Sequence, residues 1–340
     1  MENNSANDEK VMAVKPTVTV LVAVYNASQW IAKCLDSLMR QTLQNIQIIC
    51  VDDCSTDNSL QLLHGYAGRD KRIEVIHLDE NKGQAHARNV GLLYANGDYI
   101  CLLDADDWLS DDALEKAVDV FRKYPRTGCV LFDLMMVYSD RSEPYEMPEF
   151  DCLSGREALK LSLPWKIHGY YVTDSSIHKS FPYDESGELF SDENTTHIHY
   201  FISGEVRRCS GVYYYLQNDK SSTHIVSRRR FDVLRSNRSM RRQMMELEVD
   251  KEIIDSYETE RWLHLVDMYM LYHCHGSELS LPDRAYALGE IKEAWHDIDK
   301  TKIDRSVSSK FGYRPTSSFA LFRLQEWLYF TVRGIMGKNA

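Results

Sequence analysis

Three carboxylates fall within four residues at Asp104-Ala105-Asp106-Asp107, directly after the apolar run Tyr99-Ile100-Cys101-Leu102-Leu103 and with no basic residue beside them. Acid groups gathered this closely want a cation, and their hard oxygens suit Mg²⁺ or Mn²⁺. Asp104 and Asp106 are two apart, so on an extended chain both side chains point to the same side of the strand end. The same residues also suit an acidic strand-to-helix turn in which Asp107, Ser110 or Asp111 caps the following helix.

The elements that must position this cluster are legible upstream. Thr17 to Val24 is a β-branched run without charge, the pattern of a strand buried on both faces, and Tyr25-Asn26-Ala27-Ser28 closes it with turn chemistry. Trp30, Ile31, Cys34, Leu35, Leu38 and Met39 recur at helical spacing, and Ile46 to Val51 supplies a second strand ending in Asp52-Asp53. A helix over Leu60 to Tyr66, a strand over Ile73 to Leu78 and a helix over Gln84 to Tyr94 then lead to the strand that carries Asp104. The pattern predicts an α/β fold, a Rossmann-like, mostly parallel sheet flanked by helices. Such sheets bind ligands beyond the carboxyl ends of their strands, where Asn26, Asp53, Asn81 and Asp104 all fall.

Four segments in order resemble the inverting family 2 glycosyltransferases with the glycosyltransferase-A fold, of the type found in bacterial polysaccharide biosynthesis. They are Val22-Ala-Val-Tyr-Asn26, Val51-Asp-Asp-Cys-Ser-Thr-Asp-Asn-Ser59, Asn81-Lys-Gly-Gln-Ala-His-Ala-Arg-Asn-Val-Gly91 and Asp98-Tyr-Ile-Cys-Leu-Leu-Asp-Ala-Asp-Asp107. The resemblance is strong over residues 17 to about 140 and implies a nucleotide-diphosphate-sugar donor, most simply a UDP-sugar, and a bound Mg²⁺ or Mn²⁺. It implies donor contacts from Val24, Tyr25, Asn26, Asp53, Asn81, Gly83, Arg88, Asp104 and Ala105. Asp106 stands as the principal metal ligand, Asp104 at the ribose or the metal, and Asp107 as support. The residue types agree: Tyr25 can lie against a nucleobase, Asp53 can accept from a base N–H, and Arg88 can pair with a diphosphate or brace the aspartates through its planar fork. Asp57 and Asn58 suit the turn into the next helix.

A transferase of this kind needs a base for the acceptor hydroxyl. The resemblance puts that carboxylate in an acidic pair before a helix, which here is Ser191-Asp192-Glu193, so Asp192 is the expected base and Glu193 the reserve; Ser191 stands where relatives carry Glu. Ser191 or Asp192 capping a helix from Glu193 to Ile202 is the structural alternative. Farther on, Val212 to His224 resembles the strand and loop that close the acceptor side. Leu216 and Asn218 replace an Arg and a His common in relatives, leaving His224, Lys220 or Arg228 as substitutes. These departures motivate a rival reading, a non-catalytic glycan-binding or scaffolding protein with a degenerate site. A nucleotidyltransferase or dinucleotide dehydrogenase is disfavoured because no Gly-rich phosphate loop follows the first strand.

Composition sets the wider limits. With 340 residues, 44% of them apolar, the chain can bury one substantial core plus an appended unit. The expected division is a polar tail at 1–16, a catalytic unit at 17–226 with a donor half (17–140) and an acceptor half (141–226), and a helical extension at 227–340. The tail lacks the apolar core of a signal peptide, which points to a cytoplasmic protein. Eight cysteines are dispersed without a CxxC pair, and Cys50, Cys101 and Cys129 lie in apolar strands as buried thiols. His197, His199 and the His273-Cys274-His275 triplet lack partners at metal-ligand spacing.

A net charge of −11 argues against nucleic-acid binding. Basic residues nevertheless gather at Arg228-Arg229-Arg230, Arg235, Arg238, Arg241 and Arg242, either to meet anionic headgroups or as a helix face paired with Glu246, Glu248 and Asp250. Helices are expected over 231–248, 251–274, 283–295 and 319–334. The last is too charged for a span of ~20 apolar residues. It suits an interfacial helix that puts the protein at the membrane periphery, or one packed on the rest of the chain or on a second subunit.

Overall fold

A strand whose two faces are both covered shows alternate residues entering different cores, and the first strands of this protein do so. The computed structural model describes residues 15–187, 189–217 and 225–337, and for Ser191 and Asp192 the backbone alone. It begins with β1 (Val18–Val24), α1 (Ile31–Met39), β2 (Ile46–Asp52), α2 (Ser59–Ala67), β3 (Ile73–His77), α3 (Gln84–Tyr94) and β4 (Tyr99–Leu102). Val18, Val20, Val22 and Val24 join Ile46, Ile48 and Cys50 in a core covered by Ile31, Leu35 and Leu38 of α1. Leu21, Ile49 and Val51 enter a second core with Ala87 and Leu92 of α3.

Next come β5 (Trp108–Leu109), α4 (Ala113–Lys123), β6 (Thr127–Val137), β7 (Ser142–Pro144), β8 (Cys152–Ser154), α5 (Gly155–Ser162), β9 (Tyr171–Asp174), α6 (Ser175–Ser180), α7 (Ser191–Ile202) and β10 (Glu205–Leu216). The sheet order is β3-β2-β1-β4-β9-β6-β10-β5, with β7 beside β6 and β8 beside β10. Strands β3, β2, β1 and β4 run parallel, whereas β9 is antiparallel to both of its neighbours and β10 runs parallel to β6. The parallel part is built from residues 18–102, and the sheet becomes mixed beyond β4, where β5 and β6 lie among β9 and β10.

Two local expectations are corrected. Asp104 and Asp106 do not lie on extended chain: the strand ends at Leu102, and a turn closed by the Asp107 N–H donating to the Asp104 carbonyl at 3.0 Å carries them. None of Asp107, Ser110 and Asp111 caps the next helix either. The chain first forms β5, antiparallel to β10, and α4 starts only at Ala113 with Asp112 in the capping place. Long-range pairing with β10 outcompetes the local signal.

A 3₁₀ turn (Arg228–Phe231) leads into α8 (Asp232–Glu246), α9 (Lys251–His275), α10 (Leu281–Asp297), α11 (Arg305–Ser308) and α12 (Phe319–Ile335). Phe231, Trp262, Leu265, Ile291, Phe322 and Phe330 are buried among these helices. The layer is tied to the sheet through α7: Ile198 shares a core with Leu159, Met240, Met244 and Ile253, and Asn194 donates to the Ser236 carbonyl at 2.9 Å. Within the basic cluster, Arg238 pairs with Glu290 at 2.6 Å and Arg241 with Glu258 at 2.6 Å, while Arg242 reaches Glu246 at 3.9 Å. Glu246 is thus one of the anticipated partners, but Glu258 and Glu290 come from α9 and α10, and Asp250 pairs with Arg156. No helix among the described residues is long and apolar enough to cross a membrane. All eight cysteines are free thiols.

Glu326 is fully buried on the inner side of α12, and burial pushes its carboxyl up to about 7 against a partial offset from the Gln325 amide. The unfolded chain releases this proton near 4.5, so between the two values the folded state binds more protons and stability falls as pH rises. In calorimetry, Glu326→Gln should therefore flatten the decline in melting temperature between about pH 5 and pH 8; a decline as steep as in the parent would remove Glu326 as its source.

Candidate active site

The ends of β1, β2 and β4 and the starts of α3 and α7 open into a cleft of about 900 Å³. The turn after β1 is shaped by Asn26, which adopts a left-handed conformation (φ 50°) that a short polar side chain tolerates. Its Oδ1 accepts from the Thr56 N–H at 2.8 Å, its own N–H donates to Ser55 Oγ at 3.0 Å, and the Ala27 N–H donates to Ser59 Oγ at 2.8 Å. These bonds lace the β1 turn to the loop after β2. Asp57 completes the lacing: burial opposes its ionisation, but hydrogen bonds from Ser59 and Ser28 hold its carboxyl down at about 2. Tyr25, half exposed at the cleft, is left available for stacking.

Asp53 is buried, and its two oxygens accept from the backbone N–H groups of Lys82 at 2.9 Å and Gly83 at 2.8 Å. Asn81 returns a bond to the Asp53 carbonyl at 3.2 Å. Gly83 has φ 93°, a conformation that side chains avoid, and it opens α3 directly behind this loop. Asp53 thus shapes the strand-end loop as well as lining the cleft, and each carboxylate oxygen keeps lone-pair capacity for a base N–H.

One turn into α3, Arg88 is almost completely buried and its Nη2 donates to Asp104 Oδ1 at 2.7 Å. The Gln84 amide donates to the same oxygen at 2.8 Å. Arg88 therefore braces the acidic tip, one of its two anticipated roles, and is not a surface ion pair. Asp107 is wholly buried beneath the tip: Tyr213 Oη donates to its Oδ2 at 2.8 Å, the Leu216 N–H donates to its Oδ1 at 2.8 Å, and Tyr213 Oη accepts from the Asp104 N–H at 3.1 Å. Burial, with Asp104 and Asp106 adding repulsion, pushes the Asp107 carboxyl well above its ordinary value.

Asp104, Ala105 and Asp106 line the cleft with Val24, Tyr25, Asn26, Asp53, Asn81, Gly83 and Arg88, so every expected donor residue opens into one space. The pair Asp104 and Asp106 has the oxygen chemistry that a hard divalent cation prefers. Among the described residues no group of three His, Cys, Asp or Glu side chains is gathered for a metal. Helix α7 starts at Ser191 behind the left-handed Phe190, one residue earlier than a cap at Ser191 and two earlier than a cap at Asp192 would allow. Asp192 therefore lies in its first turn. The Asp192 side chain is outside the described residues, as are Asn218, Lys220 and His224; Glu193 lines the cleft.

Sequence reasoning missed much of the far wall. Tyr145, Trp165, His168 and Tyr170 face the cleft beside Tyr215 of the strand expected to close the acceptor side, with Tyr170 and Tyr215 centroids 5.4 Å apart. Arg229 and Ile225 line it from the chain that enters the helical layer. No periodicity marks these positions, because loops and different strands bring them together. His197 and His199 are buried, the former against Ser162 and the latter between Tyr171 and Phe181.

Residues 19–181 match the model of the family described as glycosyl transferase family 2. The chain carries a family 2 glycosyltransferase domain. It is 38% identical over 98 residues to the glycosyltransferase GlyG of Streptococcus pneumoniae, covering 29% of this chain and 33% of that one. It is 30% identical over 181 residues to the chondroitin synthase of Pasteurella multocida, covering 50% of this chain and 18% of that one. The match thus spans a third or less of the length of these curated relatives. In fold, the family 2 domain and the helices behind it resemble S. aureus TarS 1-349, solved in complex with UDP-GlcNAc, with a TM-score of 0.72 at 18% identity, covering 95% of this chain and 92% of that one. The mannosyltransferase PcManGT from Pyrobaculum calidifontis, solved with GDP-Man and Mn²⁺, aligns with a TM-score of 0.51 at 16% identity, covering 95% and 88%. The glycosyltransferase-A fold anticipated from the four motifs is thereby established, with its helical C-terminal part.

The clasp under the acidic tip is testable without any ligand. Tyr213→Phe removes one hydroxyl that serves Asp107 and Asp104 together, so the variant should lose about 1–3 kcal/mol of unfolding free energy in urea. A midpoint equal to that of the parent would show that the clasp contributes nothing.

Proposed function

We propose that this chain is a metal-dependent, inverting glycosyltransferase that moves a sugar from a nucleotide-diphosphate donor, a UDP-sugar, to a hydroxyl of a glycan or lipid-linked glycan in cytoplasmic cell-surface polysaccharide synthesis. The observation that carries this reading is the convergence of Asp104 and Asp106 on one cleft with Tyr25, Asp53, Asn81 and Arg88. The solved proteins of like fold that hold UDP-GlcNAc, or GDP-Man with Mn²⁺, support the donor class and the ion, and the chondroitin synthase supports a glycan acceptor. We read residues 17–226 as the catalytic unit, 17–140 holding the donor and 141–226 the acceptor, and 227–340 as its helical support.

In this reading Tyr25 stacks on the base, Asp53 accepts from its N–H, and Asn26, Asn81, Gly83 and Ala105 shape the donor pocket. Arg88 and Gln84 fix the Asp104 carboxylate so that it meets the donor in one orientation. A Mg²⁺ or Mn²⁺ held by Asp106 and Asp104 would supply charge neutralisation for the departing diphosphate. Asp192, carried on the first turn of α7, takes the acceptor proton. The acceptor oxygen bonds to the anomeric carbon from the side opposite the leaving group, the bond from that carbon to the diphosphate oxygen breaks, and the electron pair leaves with the nucleoside diphosphate. The configuration inverts. Leu216 serves the site through its backbone N–H, so its replacement of a basic residue leaves the clasp intact.

Asp106→Ala should abolish Mn²⁺-dependent binding of UDP-sugar, measured calorimetrically, together with transfer and donor hydrolysis, while the melting temperature is preserved. Undiminished binding and turnover would refute the assignment of Asp106; parent protein that binds the donor but neither transfers nor hydrolyses it would favour a degenerate, non-catalytic site.

The base is tested by keeping shape and removing basicity. Asp192→Asn should retain donor binding and lower transfer by about 10²-fold or more. If Glu193→Gln shows that loss and Asp192→Asn does not, the proton acceptor is Glu193, which also lines the cleft.

A further inference from the structure

Helix α12 is apolar on two opposite sides, and the helical layer uses only one of them. Phe322, Glu326 and Phe330, at spacings of four, are buried. On the far side Leu321, Leu324, Leu328, Val332 and Ile335 form a second stripe and are 44% to 83% exposed. Trp327 flanks that stripe, half exposed beside Arg323. Scattered exposed apolar residues are ordinary, but five in register along one 17-residue helix make a continuous face, of the kind that marks an interaction site.

Charge decides what covers it. From Lys310 to Gly337, the segment beside α12 and the helix itself, the chain holds Lys310, Arg314, Arg323 and Arg333 against one acid, the buried Glu326. The chain as a whole carries a net charge of −11. A second copy docked through the same stripe would bring two such basic sets together in low dielectric, which costs affinity. A surface of anionic headgroups over acyl chains complements both features, with the apolar stripe sinking below the headgroups and Trp327 at their level.

We propose that the outer face of α12 docks the protein onto an anionic lipid bilayer, lying in the interface without crossing it. The contact uses the basic residues around α12. The Arg238–Arg242 group is not needed, since carboxylates of the helical layer already match it. Docking is independent of the sugar chemistry proposed above, so each can fail alone.

The test sediments the whole protein with phosphatidylcholine vesicles, with and without phosphatidylglycerol, at low and high salt. The anionic vesicles should bind about 10-fold more protein than the neutral ones, and high salt should release part of it. Leu324→Glu with Leu328→Glu, and separately Lys310→Glu with Arg323→Glu, should each cut that binding about 10-fold. These residues are exposed, so the melting temperature and donor binding should be unchanged in both pairs. Parent protein left in the supernatant at low salt, or Leu324→Glu/Leu328→Glu protein sedimenting as the parent does, overturns the proposal. So does a parent dimer that this apolar pair converts to monomer, because the stripe would then belong to a second copy.

Discussion

A buried carboxylate under the acidic tip is the constraint on which the site depends. Among the described residues Asp107 is held by the Tyr213 hydroxyl and the Leu216 N–H, both from β10. That strand belongs to the mixed half of the sheet, whereas Asp104 and Asp106 grow from β4 in the parallel half. The clasp therefore joins the two halves at the point where the cleft must be shaped. Burying a charge without a counter-ion is costly, and the raised affinity of Asp107 for its proton expresses that cost. A cation at the neighbouring aspartates would relieve the repulsion, which is a physical reason for three acids to stand together here.

The remaining walls follow from short-range lacing. Asn26 and Asp53 each spend side-chain oxygens on backbone N–H groups of the next strand-end loop, so the loops after β1, β2 and β3 behave as one surface. Arg88 extends that surface to the acidic tip through Asp104. A displacement of any one loop is felt by the others, since these bonds lie in a partly buried setting where a lost partner costs about 1–3 kcal/mol.

The helical layer behind the sheet has a positional role. Helix α7, whose first turn carries the proposed base, is packed on α5 on one side and on α8 on the other. Its placement relative to β4 is thus fixed by a core that includes Met240, Met244 and Ile253. The ion pairs of Arg238 and Arg241 with Glu290 and Glu258 stitch α8 to α10 and α9. Charges that look in sequence like a cationic surface are in the fold internal ties, while the cationic character near α12 stays beside an uncovered apolar face.

The sequence by itself determined the parallel half. Uncharged apolar runs specified β1 and β2 to within a residue, because burial on both faces leaves no polar side to the strand, and strand-end chemistry pointed to Asn26, Asp53, Asn81 and Asp104 as neighbours. Tertiary structure decided the rest. Only pairing with β10 turned Asp107 from a helix cap into a buried clasp. Only the meeting of α3 with the tip of β4 brought Arg88 onto the Asp104 carboxylate. The aromatic wall of Tyr145, Trp165 and Tyr170 left no sequence signal, since its members come from separate loops and strands. Local pattern records which side of an element is buried; it carries no record of which distant element does the burying.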